Sequence, residues 1–303
     1  MSETNLPPQA LPKEGAVELR NTRTRSLWAD AFRRLIRNPG SVAGAVVLLL
    51  LIVSAILAPL VTSYDPLEIV AAERLKPPGT QYWFGTDSFG RDIFTRIVYG
   101  SRISLRMGIV SVTIASLLGV TAGMVAGFFG GHVDNVVMRL VDVTLAFPGI
   151  LLALVIIAIL GPSLFNAMVA VGISAAPTYA RVTRGMVLKT KADVFVEAAI
   201  GVGCRPMRII VRHILPNILG PLVVVATLGV AGAIIAGAAL SFLGLGAVPP
   251  TPEWGLMLSS GRNYLRAAPW ITTFPGLAIM VTVLAINLLG DGLRDALDPH
   301  MKR

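Results

Sequence analysis

The sequence predicts an all-α membrane protein with six transmembrane helices, and three observations support that prediction. Hydrophobic residues make up 54% of the 303-residue chain and charged residues only 14%, whereas a soluble domain has about 25% charged residues. The charges are clustered, which leaves apolar runs close to the roughly 20 residues that a helix needs to cross a bilayer. Basic residues gather at the ends of these runs, so the net charge of +9 indicates membrane orientation rather than nucleic-acid binding.

The first 40 residues are polar and include seven Lys or Arg. Within them, residues 26–38 (SLWADAFRRLIRN) place apolar side chains at helical spacing, opposite Arg33, Arg34 and Arg37. This pattern is typical of a short amphipathic helix that lies on a membrane surface. We therefore interpret residues 1–40 as a cytoplasmic tail that contains such a helix.

Six apolar runs follow the tail. They lie at residues 42–61, 103–129, 136–160, 163–179, 218–245 and 271–289. The predicted organisation is a first transmembrane helix at 41–64, an external segment at 65–102, a five-helix core at 103–290 and a cytoplasmic tail at 291–303. Pro148 and Pro177 lie inside the third and fourth runs, where a proline is expected to kink the helix.

Charge predicts the orientation of this bundle. Six spans put both termini on one side of the membrane, together with the long basic connection at 180–217. Of the 26 Lys and Arg, 18 fall on that side and eight on the other. The positive-inside rule therefore predicts that both termini and the 180–217 loop are cytoplasmic in a multi-pass protein of the cytoplasmic membrane.

Small residues recur at every fourth position in two of the predicted spans. In the second span they are Ser111, Ala115, Gly119, Gly123, Gly127 and Gly131, and in the fifth Gly229, Ala233 and Gly237. Small residues at this spacing let helix backbones approach closely in lipid. We interpret both stripes as helix–helix packing faces.

Several catalytic motifs are missing. No Gly-x-x-x-x-Gly-Lys-[Ser/Thr] occurs, and none of the five lysines follows a glycine, so the chain has no P-loop to bind nucleotide phosphates. His-Glu-x-x-His and Gly-x-Ser-x-Gly are also missing, which leaves a zinc protease or a serine hydrolase without support. The single Cys204 and three scattered histidines predict no disulfide and no metal site. A membrane enzyme therefore has almost no residue support.

Few ionisable residues fall within the predicted spans. Asp142 lies one turn after Arg139 in the third span, and this spacing predicts an ion pair near the cytoplasmic end of that helix. An ion-coupled carrier would need more acidic groups at mid-depth. A secondary carrier that works alone is therefore the weaker hypothesis beside a permease driven by a separate motor.

The 180–217 loop has an ordered pattern. Residues 191–200 and 206–214 are predicted helices, and Gly201 and Gly203 separate them. Pro206 stands at the favoured first turn of the second helix, and Leu215-Pro216 is expected to end the loop before the fifth span. The alternative is a solvated loop whose basic residues only determine the orientation of the chain in the membrane. The alternation of helix formers and glycines instead predicts a compact knob.

Six residues of this loop have the identity and spacing of the EAA loop of ABC-importer permeases: Glu197, Ala198, Ala199, Gly203, Leu215 and Pro216. One position departs, because His213 stands where a hydrophobic residue is expected. Four further segments resemble the C-type permeases of dipeptide, oligopeptide, glutathione and nickel importers: 83–92 (WFGTDSFGRD), 240–246 (LSFLGLG), 249–255 (PPTPEWG) and 287–299 (NLLGDGLRDALDP). The resemblance covers residues 30–303 and implies the type I ABC importer permease fold.

The resemblance also implies a mechanism without catalysis by this chain. In such permeases the EAA loop fits a cleft in an ATPase subunit, and ATP-driven closure of two ATPases rocks the spans from inward-open to outward-open. The six EAA residues would then couple this chain to the ATPase, and Arg205, Arg208 and Arg212 would contact either the ATPase or lipid headgroups. The chain itself needs no cofactor, because ATP and magnesium belong to the ATPase subunits.

Further partners follow from the same resemblance: a B-type permease, an external substrate-binding protein and the lipid of a bacterial inner membrane. Arg91, Asp92 and Trp254 are candidates for contacts with the binding protein, or for local hydrogen-bonded caps. The expected substrate is a short peptide, with glutathione or chelated nickel as alternatives.

Overall fold

The computed structural model describes residues 27–297, and the regular secondary structure of that range is helical. Its α-helices are α1 (Leu27–Arg37), α2 (Pro39–Ile56), α3 (Ala58–Val61), α4 (Ile93–Phe129), α5 (Gly131–Leu145), α6 (Gly149–Leu160), α7 (Leu164–Lys191), α8 (Val194–Gly201), α9 (Pro206–Ile209), α10 (Leu215–Phe242), α11 (Trp254–Gly261) and α12 (Trp270–Leu297). Two 3-10 turns, Ala71–Glu73 and Arg262–Tyr264, and a π-helical turn, Ile210–Ile214, complete the helical structure.

Helices α1 and α2, at the start of the described chain, pack against α12 at its end. α1 coincides with the predicted amphipathic helix, while residues 1–26 of the predicted tail lie outside the described residues. Asn38 caps α2, because its side-chain oxygen accepts hydrogen bonds from the backbone N–H of Gly40 at 3.0 Å and of Ser41 at 3.3 Å. Both α1 and α2 pack against α12, so the two ends of the described chain are joined.

α4 begins ten residues before the predicted start of the second span. The Asp92 carboxylate caps it by accepting hydrogen bonds from the backbone N–H of Thr95 at 2.8 Å and from its hydroxyl at 2.6 Å. Residues 93–102, which we predicted as part of the external segment, therefore extend this 37-residue helix.

The continuous third helix that we predicted at 136–160 is instead two helices. α5 and α6 meet at an angle of 92°. Pro148 lies at the bend, and a proline both lacks an N–H and pushes the residue before it away from helical geometry. The bend separates a partly charged helix, α5, from an entirely apolar one, α6.

Four helical segments in the described range are long and apolar enough to cross a membrane. They are α2, α4, the continuous segment Pro206–Phe242 and α12. The bent pair of α5 and α6 makes a fifth if it counts as one span. α7 has sufficient length, with 28 residues, but it is less apolar, so the predicted count of six spans stays a prediction.

The stripe of small residues in α4 is a packing face, and α7 lies directly on it. A Cβ atom added at Gly119 would stand 2.9 Å from the backbone nitrogen of Ala180, and one at Gly123 would stand 2.7 Å from Cβ of Thr183. Gly127 faces Val187 in the same way. The stripe ends there, since Gly131 begins α5 and has open space around it.

The second stripe is also a packing face, but side chains of the neighbouring helices fill it. Gly229 of α10 lies against Tyr179 of α7, and Gly237 lies against Met107 of α4. The three helices α4, α7 and α10 thus enclose the largest cluster of buried apolar residues in the described range. Backbone thus approaches backbone between α4 and α7, whereas at α10 the side chains of Tyr179 and Met107 fill the space that the glycines leave.

Gly123→Ala should destabilise the protein, because its new methyl group would overlap Thr183 across the α4–α7 contact. Overpacking of this kind costs roughly 1–3 kcal/mol. The matched control is Gly185→Ala on α7, where an added Cβ meets nothing within 4 Å. Thermal unfolding of both variants in detergent measures the difference, and equal midpoints would contradict the packing argument.

Candidate functional site

The connection between α7 and α10 is more helical than the sequence predicted. α7 continues to Lys191, so the first twelve residues of the predicted 180–217 loop belong to that helix. Our expectation that Leu215-Pro216 ends the loop is wrong, because the chain passes from α9 through a π-helical turn into α10 without a break. Pro216 occupies the first turn of α10, and the π turn before it shifts the hydrogen-bond register, so the missing N–H is tolerated.

We call residues 193–214 the knob, and one side of it is buried. The buried aliphatic residues are Val196, Ala199, Ile209, Ile210 and Ile214. They pack in one cluster with Phe128 at the end of α4 and Val187 of α7. Full burial of a Val or Ile side chain contributes about 1.5–3 kcal/mol. The knob is therefore held firmly against the ends of two core helices.

The opposite side of the knob is exposed and chemically mixed. Glu197 and Ala198 both face outward, and Glu197 has no ion-pair partner within residues 27–297. The predicted contact residues Arg205, Arg208 and Arg212 are also exposed. Large apolar side chains lie beside them: Val194, Val202 and Met207 are 80%, 79% and 65% exposed. Exposed apolar residues rimmed by charges mark a protein or membrane interaction site.

The turn inside the knob depends on Gly203. Its φ of +76° lies in the left-handed region that favours glycine. The Gly203 N–H donates to the Ile200 carbonyl at 2.9 Å, and the Cys204 N–H donates to the Ala199 carbonyl at 3.0 Å. These two bonds form the Schellman motif that ends α8. An added Cβ would meet nothing within 4 Å, so the requirement for glycine is conformational.

Lys191 joins the end of α7 to the end of α4. Its Nζ donates a hydrogen bond to the Phe128 carbonyl at 2.6 Å and lies 5.4 Å from the centre of the Phe128 ring. A cation at the last carbonyls of a helix is also favoured by the helix dipole. This contact fixes the two helix ends against which the knob packs.

The three external candidates are buried, and each makes a side-chain hydrogen bond within the chain. Arg91 pairs with Asp87 at 2.7 Å, Asp92 caps α4, and the indole N–H of Trp254 donates to the Ile97 carbonyl at 3.1 Å. They are 6%, 5% and 0% exposed. These contacts are of the local kind considered for them, and little of the three side chains is exposed.

Sequence reasoning missed two kinds of residue in the external segments. Trp83 and Phe89 are 64% and 48% exposed, although both lie in the segment that suggested Arg91 and Asp92.

Glu253 is buried and caps α11 by accepting hydrogen bonds from the Gly255 and Leu256 N–H groups at 3.0 and 2.8 Å. Burial raises the pKa of the Glu253 carboxyl, and the two N–H donors oppose that shift. Its position directly after Pro252 and directly before a helical stretch was the available signal.

Two ion pairs connect α5 to α7. Arg184 binds Asp134 through two hydrogen bonds of 2.5 Å, and Arg181 binds Asp142. The pair predicted between Arg139 and Asp142 is therefore wrong, because the nearer cation in space comes from the neighbouring helix. These charges line an open cavity of about 660 Å³ between the two helices.

Two parts of the chain match protein families. Residues 119–303 match the family described as the binding-protein-dependent transport system inner membrane component. Residues 26–78 match the N-terminal transmembrane domain of oligopeptide transport permease C. Together they cover the described chain apart from residues 79–118.

Relatives are similar over almost the full length. The dipeptide transport system permease protein DppC of Alkalihalophilus pseudofirmus is 50% identical over 277 residues, 91% of each chain. The glutathione transport system permease protein GsiD of Pectobacterium atrosepticum is 45% identical over 285 residues, 94% of this chain and 95% of its own. An inward-facing structure of the MetNI methionine ABC transporter has a chain that aligns with a TM-score of 0.54 at 23% identity, over 67% of this chain and 96% of its own. That likeness shows the fold.

Gly203→Ala should loosen the turn of the knob, since a left-handed conformation costs a residue with a Cβ about 1–2 kcal/mol. The backbone amides of residues 203 and 204 should then exchange with deuterium roughly five- to thirtyfold faster. Gly201→Ala is the matched control, because Gly201 has open space and no positive φ. The same exchange rates in both variants would show that Gly203 does not hold the turn.

Proposed function

This chain belongs to the family of binding-protein-dependent inner-membrane transport permeases, and from that premise we propose how it operates within an importer of short peptides. It is a C-type permease subunit of an ABC importer and is not itself catalytic. The substrate proposal is supported by a dipeptide permease that is 50% identical over 91% of the chain. The glutathione permeases at 45–46% identity support the same chemistry, because glutathione is itself a short peptide.

We propose that the knob docks into a separate ATPase subunit. The observation that carries this proposal is the division of the knob into a buried aliphatic side and an exposed side with Glu197 and Ala198. Glu197 is available to pair with a cation of the ATPase, and the small Ala198 allows a close approach. Ala199 faces inward instead and supports the docking surface from behind. Gly203 shapes the turn, and Leu215 and Pro216 continue the knob into α10.

Movement of the docked knob would be transmitted to the core helices through the residues on which the knob packs. The knob packs on Phe128 and Val187, which belong to α4 and α7. Since these two helices touch backbone to backbone along the glycine stripe, they would move together when the ATPases bind ATP and close. ATP and its magnesium remain in the ATPase subunits, and this chain converts their closure into rocking of the helices.

The exposed arginines of the knob would bind anionic groups. Arg205, Arg208 and Arg212 are exposed and have no ion-pair partner among the described residues. Acidic side chains of the ATPase and anionic lipid headgroups offer the same chemistry. Either contact would hold the knob at the cytoplasmic membrane surface.

We propose a B-type permease as the second half of the pathway and a binding protein at the external face. The buried residues Arg91, Asp92 and Trp254 would hold the external segments in place through their hydrogen bonds, beneath the surface that the binding protein contacts. The exposed aromatic residues Trp83 and Phe89 are better suited to contact the binding protein, because large aromatic side chains often dominate protein interfaces.

The proposed topology has six spans with both termini in the cytoplasm. The sixth span is α7, whose first half is apolar and whose basic second half would project beyond the membrane toward the knob. α1 would lie on the inner lipid surface. The basic residues on this side, 18 of 26, support that orientation.

Glu197→Gln should lower ATP-driven dipeptide uptake about tenfold or more, because a hydrogen bond to a charged group contributes roughly 1.5–3 kcal/mol. Asp193→Asn is the matched control, since Asp193 is also an exposed carboxylate of the knob. Uptake into proteoliposomes that contain the complete importer, with co-purification of the ATPase subunits, measures the effect. Normal uptake and ATPase retention by the Glu197 variant would refute the docking role.

Cysteines on either side of α7 test the topology. In intact cells, a membrane-impermeant thiol reagent should label Pro162→Cys and leave Val202→Cys unlabelled until the membrane is permeabilised. Site-resolved mass spectrometry separates these positions from the native Cys204. Labelling of both from the same side would show that α7 does not cross the membrane.

A further inference from the structure

α5 is a helix with two opposed faces. Val136, Leu140 and Val143 lie on one face and are 61%, 65% and 55% exposed. Asp134, Asn135, Met138, Arg139 and Asp142 line the cavity on the other face. Ionisable side chains at membrane depth face a protein interior or a water-filled space rather than lipid. The charged face of α5 therefore indicates that water fills the space between α5 and α7.

The charges in this cavity do not cancel. Asp134 and Asp142 are paired with Arg184 and Arg181. Arg139 also lines the cavity, is exposed, and has no ion-pair partner among the described residues. An accessible guanidinium beside two satisfied ion pairs is a site for a carboxylate, which it can bind through two parallel hydrogen bonds.

The cavity adjoins the knob. Arg184 precedes Val187, the α7 residue that anchors the knob, by one turn, and Asp134 follows Phe128, the α4 anchor, by six residues. The same short part of α7 thus bears both the knob and one wall of the cavity. A movement of the knob would change the separation of α5 and α7 and hence the width of this space.

We infer that the cavity between α5 and α7 is the cytoplasmic exit of the substrate path and that Arg139 binds the carboxylate of the departing peptide. This inference rests on the proposed peptide import. In this conformation the two ion pairs join α5 to α7, and among the described residues that line the cavity Arg139 is the cation outside these pairs. A substrate with a free carboxylate is favoured there over the same molecule with that group neutralised.

Cysteine accessibility tests whether the cavity is on the substrate path. Met138→Cys lies in the cavity, and Val136→Cys lies on the opposite face of α5. In the complete importer in nanodiscs, a charged thiol reagent should label Met138→Cys at least tenfold faster than Val136→Cys, as expected for a water-filled space beside a lipid- or protein-covered face. Dipeptide, binding protein and ATP together should slow only the labelling of Met138→Cys.

Arg139 itself is tested with two forms of one dipeptide. Arg139→Gln should lower the uptake rate of the free-carboxylate form about tenfold and leave that of the amidated form unchanged, whereas Arg139→Lys should restore much of the difference. The binding protein is the same in every assay, so its own selectivity cancels. Equal loss for both forms would mean that Arg139 acts only in structure, and would overturn its assignment.

If the cavity binds an ATPase subunit or a lipid instead of the peptide, the cysteine-labelling experiment gives a different result. Protection of Met138→Cys by the ATPase subunits alone, or by anionic lipid alone, would overturn the inference in favour of a protein or lipid contact. If the unsubstituted importer takes up no dipeptide, the proposed function fails. If it takes up dipeptide and Met138→Cys is not protected, only the exit path is refuted.

Discussion

Glycines at every fourth position of α4 let α7 lie directly against its backbone, and the rest of the structure depends on this contact. Gly119, Gly123 and Gly127 each leave a space that atoms of α7 occupy. In a membrane the hydrophobic effect does not drive helices together, so close packing and hydrogen bonds must do so. Because the contact runs from Ser111 to Phe128 of α4 and along most of α7, the second half of α4 and α7 form one packed unit.

That unit bears two features with different chemistry. At its end, Phe128 and Val187 hold the aliphatic side of the knob, and Lys191 bonds the two helix ends together. One and two turns earlier on α7, Arg184 and Arg181 hold α5 across a polar cavity. A force on the knob therefore acts on the wall of the cavity through a few ångströms of packed helix. This arrangement suits a subunit that uses energy released in another protein.

Part of this structure could be read from the sequence. Apolar runs located most of the membrane helices, small residues at i, i+4 located the α4–α7 face, and the spacing of Glu197 and Gly203 located the knob. The incorrect predictions concern contacts between residues that lie far apart in the chain. Asp142 pairs with Arg181 rather than with Arg139, because a partner 39 residues away is closer in the fold. Helix ends were also misplaced, since caps and the π-helical turn depend on hydrogen-bond geometry that composition does not reveal.

The central claim is that the exposed side of the knob contacts the ATPase. A photo-reactive amino acid at position 198 tests it directly, because Ala198 is exposed beside Glu197 and lies outside the buried cluster. In the assembled importer, irradiation should cross-link this chain to an ATPase subunit, with a yield that changes when ATP is added. Cross-links to lipid alone, in a preparation that still drives peptide uptake with ATP, would contradict the account.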